Sequence, residues 1–178
     1  MRVVRGGYFD MESIMEELFR QHRDAEGMLV KLAAGVKRVE REGVNGAGVL
    51  DHLRDLRRAI QGEVLSHFRE EEQALFPVLG RHIDSASGPI AMLMEEHAIF
   101  RQLELQFEEA VAALEAGLRD GWEEKLCDAA GSIARLLPLH IDKEESVLFP
   151  MADDVLSADE WAQVRRLWNE ALAAVQPA

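Results

Sequence analysis

The chain has 178 residues, a formal charge of −13 and one cysteine. That length suits one domain over 1–178 with a core large enough to need no staples, and the lone Cys127 excludes an internal disulfide or a Cys-x-x-Cys metal site. The acidity argues against a nucleic-acid partner, which clustered Lys and Arg would hold. Charges interrupt every apolar run short of the ~20 residues of a membrane span, and Met1 to Asp10 lacks a signal-peptide core. The expectation is a soluble cytoplasmic protein without membrane or nucleic-acid partners.

Four long segments carry apolar residues at three- and four-residue spacing, each broken by a glycine-bearing stretch. The first helix is expected to start near Asp10 or Ser13, where Ser13 and Glu16 spell a capping box, and to run through Ile14, Leu18, Leu29 and Val36 to about Glu42. Gly43 to Gly46 supplies the turn. The second carries Leu53, Ile60, Val64, Phe68 and Leu75 up to Pro77 and Gly80, and residues 80–88 form the next connection. The third opens with Pro89 in its first turn and passes through Leu93, Phe100 and Val111 towards Gly117 and Gly121. The fourth runs from Trp122 to Pro150, with Pro138 expected to kink it. A short fifth helix, about 158–174, has Ser157 as its cap, shows Trp161, Val164 and Trp168 on one side and is expected to pack outside the bundle. No segment combines alternation with β-branched enrichment, so the fold is read as all-α. Short connections favour an up-down-up-down four-helix bundle over about 12–151, followed by the fifth helix.

Residues 67–77 read HFREEEQALFP and residues 140–150 read HIDKEESVLFP, both matching H-x-x-x-E-E-x-x-L-F-P. His22 precedes His67 by 45 residues and His97 precedes His140 by 43, so the chain reads as two duplicated helical hairpins. Histidine and glutamate four residues apart share one helix face, which directs His67 with Glu71, and His140 with Glu144, at a common point. Glu72 and Glu145, one residue further round, are expected to point elsewhere. In antiparallel helices two residues lie level when the turn falls midway between them. The midpoint of 22 and 67 falls within Gly43 to Gly46, and that of 97 and 140 between Gly117 and Gly121. A slip of five residues would part the ligands by ~7 Å.

A lone histidine on an apolar face is more often a hydrogen-bonded core residue than a ligand. Four of them level with two glutamates are different, because buried carboxylates need a positive partner. The predicted metal ligands are therefore His22, His67, Glu71, His97, His140 and Glu144. Imidazole with carboxylate suits iron, manganese or zinc, and six ligands exceed one tetrahedral zinc. Two metal ions, with Glu71 and Glu144 spanning both, use the set and leave positions open. His52 and His82 each lie 15 residues from His67, ~22 Å along a helix, and are excluded. Glu26 is a possible extra ligand, and Glu63 and Arg101 are possible outer residues. Tyr8 lies far from the motif, which suggests no tyrosyl radical.

These residues and the two Leu-Phe-Pro endings resemble the hemerythrin-like (HHE cation-binding) domain over about residues 12–151. The resemblance implies a di-iron centre with an oxo or hydroxo bridge that binds dioxygen, nitric oxide or peroxide, or senses iron. Zinc and manganese are possible substitutes. Oxygen-carrying members have a further histidine where this chain has Arg101 and an aspartate where it has Glu144, which argues against reversible oxygen transport. The pattern is closer to bacterial proteins linked to iron-centre repair after nitrosative stress, although their N-terminal cysteine-bearing segment has no counterpart here. The alternatives left open are a di-iron oxidase or peroxidase, a repair protein, and an interaction module stapled by a structural metal.

Overall fold

A computed structural model describes residues 5–174, with side chains from Met11 onward. The described residues are all-α, as expected, with no strand among them. Helix α1 is Arg5–Glu42. Helix α2 covers 49–79 as the α-helical segments Val49–Ala59, Leu65–Glu70 and Phe76–Leu79, joined by wider π turns at Ile60–Val64 and Glu71–Leu75. Helix α3 is Pro89–Glu115. Helix α4 covers 122–155 as Trp122–Lys143, a π turn at Glu144–Leu148, and Phe149–Val155, and α5 is Ala158–Ala173.

Several boundaries differ from those expected. Helix α1 is already helical at Arg5, so Ser13 and Glu16 lie inside it rather than capping it. Helices α2 and α4 pass through Pro77 and Pro150 and end at Leu79 and Val155; in both, a π turn ends two residues before the proline. Pro138 lies inside the α-helical segment Trp122–Lys143, as expected. The α3 terminus is a Schellman motif: Leu118 N–H donates to the Ala113 carbonyl at 3.0 Å and Gly117 N–H to Leu114 at 3.1 Å. The motif needs a left-handed residue, and Gly117 has φ +83°.

Two compact units are distinguished, and each of the four long helices continues from one into the other. The first comprises 1–22, 66–96 and 141–178. Its core joins Ile14, Leu18, Leu75, Phe149 and Leu148 to Trp161, Val164 and Trp168 of α5. The three α5 residues are at most 2% exposed, so α5 completes this core. A capping box starts α5, with Ser157 N–H and Oγ–H both donating to Glu160 Oε2 at 2.9 and 2.7 Å. The second unit comprises 23–65 and 97–140 and packs Leu32, Leu53, Leu56, Phe107, Leu126 and Ile133. Each fully buried aliphatic side chain contributes ~1.5–3 kcal/mol.

The buried stripes run at helical spacing: Ile14, Leu18, His22, Ala25, Met28 and Leu32 on α1, and Ile90, Leu93, His97 and Phe100 on α3. The histidines thus occupy core positions of otherwise apolar faces. Met94 on α3 and Leu136 and Val147 on α4, by contrast, are 41%, 38% and 44% exposed. Leu93 and Leu137 take the inward places, and ~100° of rotation per residue turns Met94 and Leu136 out.

Candidate metal centre

All six predicted ligands are buried, none more than 5% exposed. In the first unit the His22 and His67 Nε2 atoms lie 3.1 Å apart, and Glu144 Oε2 is 3.0 Å from the former and 3.7 Å from the latter. Glu71 Oε2 lies 3.6 Å from His67 Nε2. Ligand atoms of His22, His67 and Glu144 all fall within 4.8 Å of one another. In the second unit the Nε2 atoms of His97 and His140 lie 3.2 Å apart, with Phe100 edge-on to His140 at 5.6 Å.

The duplicated template corresponds to a duplicated backbone feature. The π turns Glu71–Leu75 and Glu144–Leu148 each begin on the carboxylate and end one residue before the Phe-Pro pair. A proline ring clashes with the carbonyl four residues earlier in a regular helix, here Gln73 and Ser146, and a wider turn moves that carbonyl aside. Phe76 N–H still closes the wider ring onto Glu71 O, as Phe149 N–H does onto Glu144 O. The Leu-Phe-Pro endings therefore shape the backbone that carries Glu71 and Glu144.

A set of polar residues stands behind the first pair of histidines. Glu145 Oε1 is 2.8 Å from His22 Nδ1, and Gln21 Oε1 is 2.8 Å from His67 Nδ1. Gln21 Nε2 donates to Glu70 Oε2 at 2.7 Å. Glu70 is only 3% exposed, and burial pushes its carboxyl above the usual range although Gln21 and Ser66 hydrogen bonds pull the other way. Burial works to lower the His22 pKa, but the Glu144 and Glu145 carboxylates outweigh it and the net shift is upward. Phe149 stacks on the His22 ring at 5.4 Å and 14°, and Phe19 meets Phe149 edge-on at 5.6 Å. Spacing had set Glu145 aside as pointing elsewhere; its carboxylate instead reaches the outer nitrogen of a predicted ligand.

Other predicted positions fall outside the cluster. Glu26 and Glu63 are exposed and Arg101 is half-buried. His82 is exposed and pairs with Glu160 at 2.6 Å, and His52 lies 3.3 Å from the Lys31 carbonyl. Tyr8 lies outside the residues whose side chains are described. Burial raises the Cys127 thiol pKa, with Glu40 next, which suits an unreactive thiol.

The donor set fits a metal. With both Nδ1 atoms turned to acceptors, His22 and His67 direct Nε2 lone pairs at each other and at carboxylate oxygens. Acceptors at such distances in a dry site repel unless a cation, a proton or a metal ion, lies between them. Imidazole with carboxylate is the ligand chemistry of iron, manganese and zinc, and no thiolate is present to select a softer ion.

Comparison with known proteins agrees with this chemistry. Residues 13–152 match the family described as Hemerythrin HHE cation binding domain. The iron-sulfur cluster repair protein YtfE of Yersinia pseudotuberculosis serotype IB (strain PB1/+) is 34% identical over 144 residues, 78% of this chain and 62% of the relative. YtfE of Yersinia pestis (strain Pestoides F) is 33% identical over the same coverage. The chain thus spans less than two thirds of the length of these relatives. Among the described residues no helix is long and apolar enough to cross a membrane.

Proposed function

Because the chain belongs to the hemerythrin HHE cation-binding domain family, we propose that it is a cytoplasmic non-haem di-iron protein that binds or senses dioxygen, nitric oxide or peroxide. His22 and His67 would hold one ion and His97 and His140 the other, with Glu71 and Glu144 as the carboxylate ligands. The observation that carries the reading is the convergence of His22 Nε2, His67 Nε2 and Glu144 Oε2, whose lone pairs need a cation between them. When bound, an iron pair held by six side chains supplies open coordination positions and a change of redox state for a small ligand. The residues do the rest: Glu71 and Glu144 would offset the cationic charge, His22 and His67 hold position through their outer nitrogens, and Phe149 covers the His22 ring.

The test is anaerobic reconstitution with ferrous iron, metal analysis, and optical spectra before and after exposure to dioxygen or nitric oxide. Two irons per chain and a spectral change on exposure are expected. Less than one iron per chain, with zinc retained instead, would refute the reading.

Repair of iron centres is the second reading, favoured by the similarity to the Yersinia iron-sulfur cluster repair proteins. Incubating the iron-loaded protein with a nitrosylated iron–sulfur protein separates the two. Recovery of the damaged cluster supports repair, whereas ligand binding without recovery supports sensing.

A further inference from the structure

We infer that Glu145 and the Gln21–Glu70 pair are positioning residues that hold His22 and His67 in the one tautomer able to bind metal through Nε2. This rests on the di-iron reading for its purpose, but its geometry lies wholly in residues of the first unit. A neutral imidazole has one N–H and one lone pair, so whichever group claims the N–H decides which nitrogen is left to ligate. Glu145, as a carboxylate, only accepts, and at 2.8 Å it takes the proton of His22 Nδ1 as a hydrogen bond. His22 Nε2 then keeps its lone pair, 3.0 Å from Glu144 and 3.1 Å from His67 Nε2.

On His67 the same result is reached through a relay. Gln21 could present either end of its amide to Nδ1. Glu70 decides, because a carboxylate accepts from the NH2 end at 2.7 Å, and Gln21 Oε1 is left to accept from His67 Nδ1–H at 2.8 Å. Ser66 Oγ–H also reaches Glu70 at 3.4 Å, so the relay ends on a buried carboxylate with two donors. Neither Glu145 nor Glu70 is among the six predicted ligands, yet each fixes one of them.

The two supports differ in access. Glu70 is buried, whereas the Glu145 side chain is 38% exposed and lines a cavity of about 450 Å³ with Met11, Met15, Phe19, Phe149 and Pro150. Because Glu145 stands at the surface, it can be replaced without opening the core, which makes it the place to test the assignment.

Long-range proton–nitrogen correlation spectra of the metal-free protein at mildly alkaline pH read the tautomers without any metal. His22 and His67 are expected as Nδ1–H tautomers. Glu145→Ala should move His22 towards the Nε2–H form, and Gln21→Ala should do the same to His67 alone. Iron affinity, measured by competition with a chelator, should fall ~10–100-fold in Glu145→Ala. Glu145→Gln, whose Oε1 can still accept from Nδ1, should recover most of that loss. An unchanged His22 tautomer in Glu145→Ala, with affinity within twofold of the parent, overturns the inference. If the parent takes up no iron, the di-iron reading fails, and the tautomers of the metal-free protein still decide the positioning roles.

Discussion

The two repeats agree in their buried histidines and glutamates and differ in the residues beside them. His22 with His67 and His97 with His140 show nearly the same ring-to-ring separation, 4.8 and 4.9 Å, and both carboxylates open a π turn. The residues just before the first-helix histidine and before the carboxylate have diverged. In the first repeat they are Gln21 and Glu70, an amide on a buried carboxylate that also reaches His67. In the second they are Glu96 and Lys143, an ion pair whose side chains are 22% and 35% exposed. Duplication has kept the buried histidines and glutamates, while the residues beside them form an amide–carboxylate pair in one repeat and an ion pair in the other.

The largest expected effect tests the equivalence directly. Glu71→Ala and Glu144→Ala should each drop reconstituted iron from two per chain to below one, as read by metal analysis. A variant that keeps both irons would show that the two carboxylates do different jobs. The supporting pairs come next. Gln21→Leu strips a hydrogen bond from buried Glu70 and from His67 together and should cost about 1–3 kcal/mol in urea unfolding of the metal-free protein. Lys143→Met breaks only a partly exposed ion pair and should cost less than about 1 kcal/mol by the same measurement. Equal costs would erase the contrast between the repeats.

The smallest effect concerns α5, which follows only the second repeat. The Ser157 hydroxyl, then the Ser157 N–H, then His82 hold the Glu160 carboxyl down to about 2. A carboxyl depressed on folding stabilises the protein above its unfolded pKa, near 4.5, and that contribution is lost as pH falls through about 2. Glu160→Gln, which keeps an acceptor for the cap and loses only the charge, should therefore cost only ~0.3 kcal/mol of stability at neutral pH, read as a lower thermal midpoint. The gap between variant and parent should close progressively below pH 4.5. A gap that persists to pH 2 would assign the stabilisation to packing rather than to charge.

Much of the fold was legible because the apolar spacing is strict and the turns carry their own chemistry. Gly43, Pro89, Gly117 and Ser157 mark boundaries that local geometry dictates, and all of them stand at the expected places. The repeated His-x-x-x-Glu spacing was equally readable, since one helix turn suffices to align the two side chains. What stayed hidden depends on departures from a regular helix and on partners far apart in the chain. The π turns were not anticipated, although Pro77 and Pro150, which accompany two of them, were expected to end their helices. Glu145 was set aside by regular-helix geometry, but it lies 123 residues from His22 in sequence and only 2.8 Å from it in space. Gln21 carries no signal of its own, because a polar residue beside a buried histidine is ordinary until Glu70 is found beneath it.

By itself, then, the sequence determined the helices, their turns and the residues that face the core, because these follow from periodicity and local backbone preference. Tertiary structure decided which nitrogen of His22 and His67 is free to ligate, how α2 and α4 pass their prolines, and that α5 completes the core of the first unit. Each of those depends on which groups meet across helices, and hydrogen bonds between residues 46 to 123 positions apart leave no local trace.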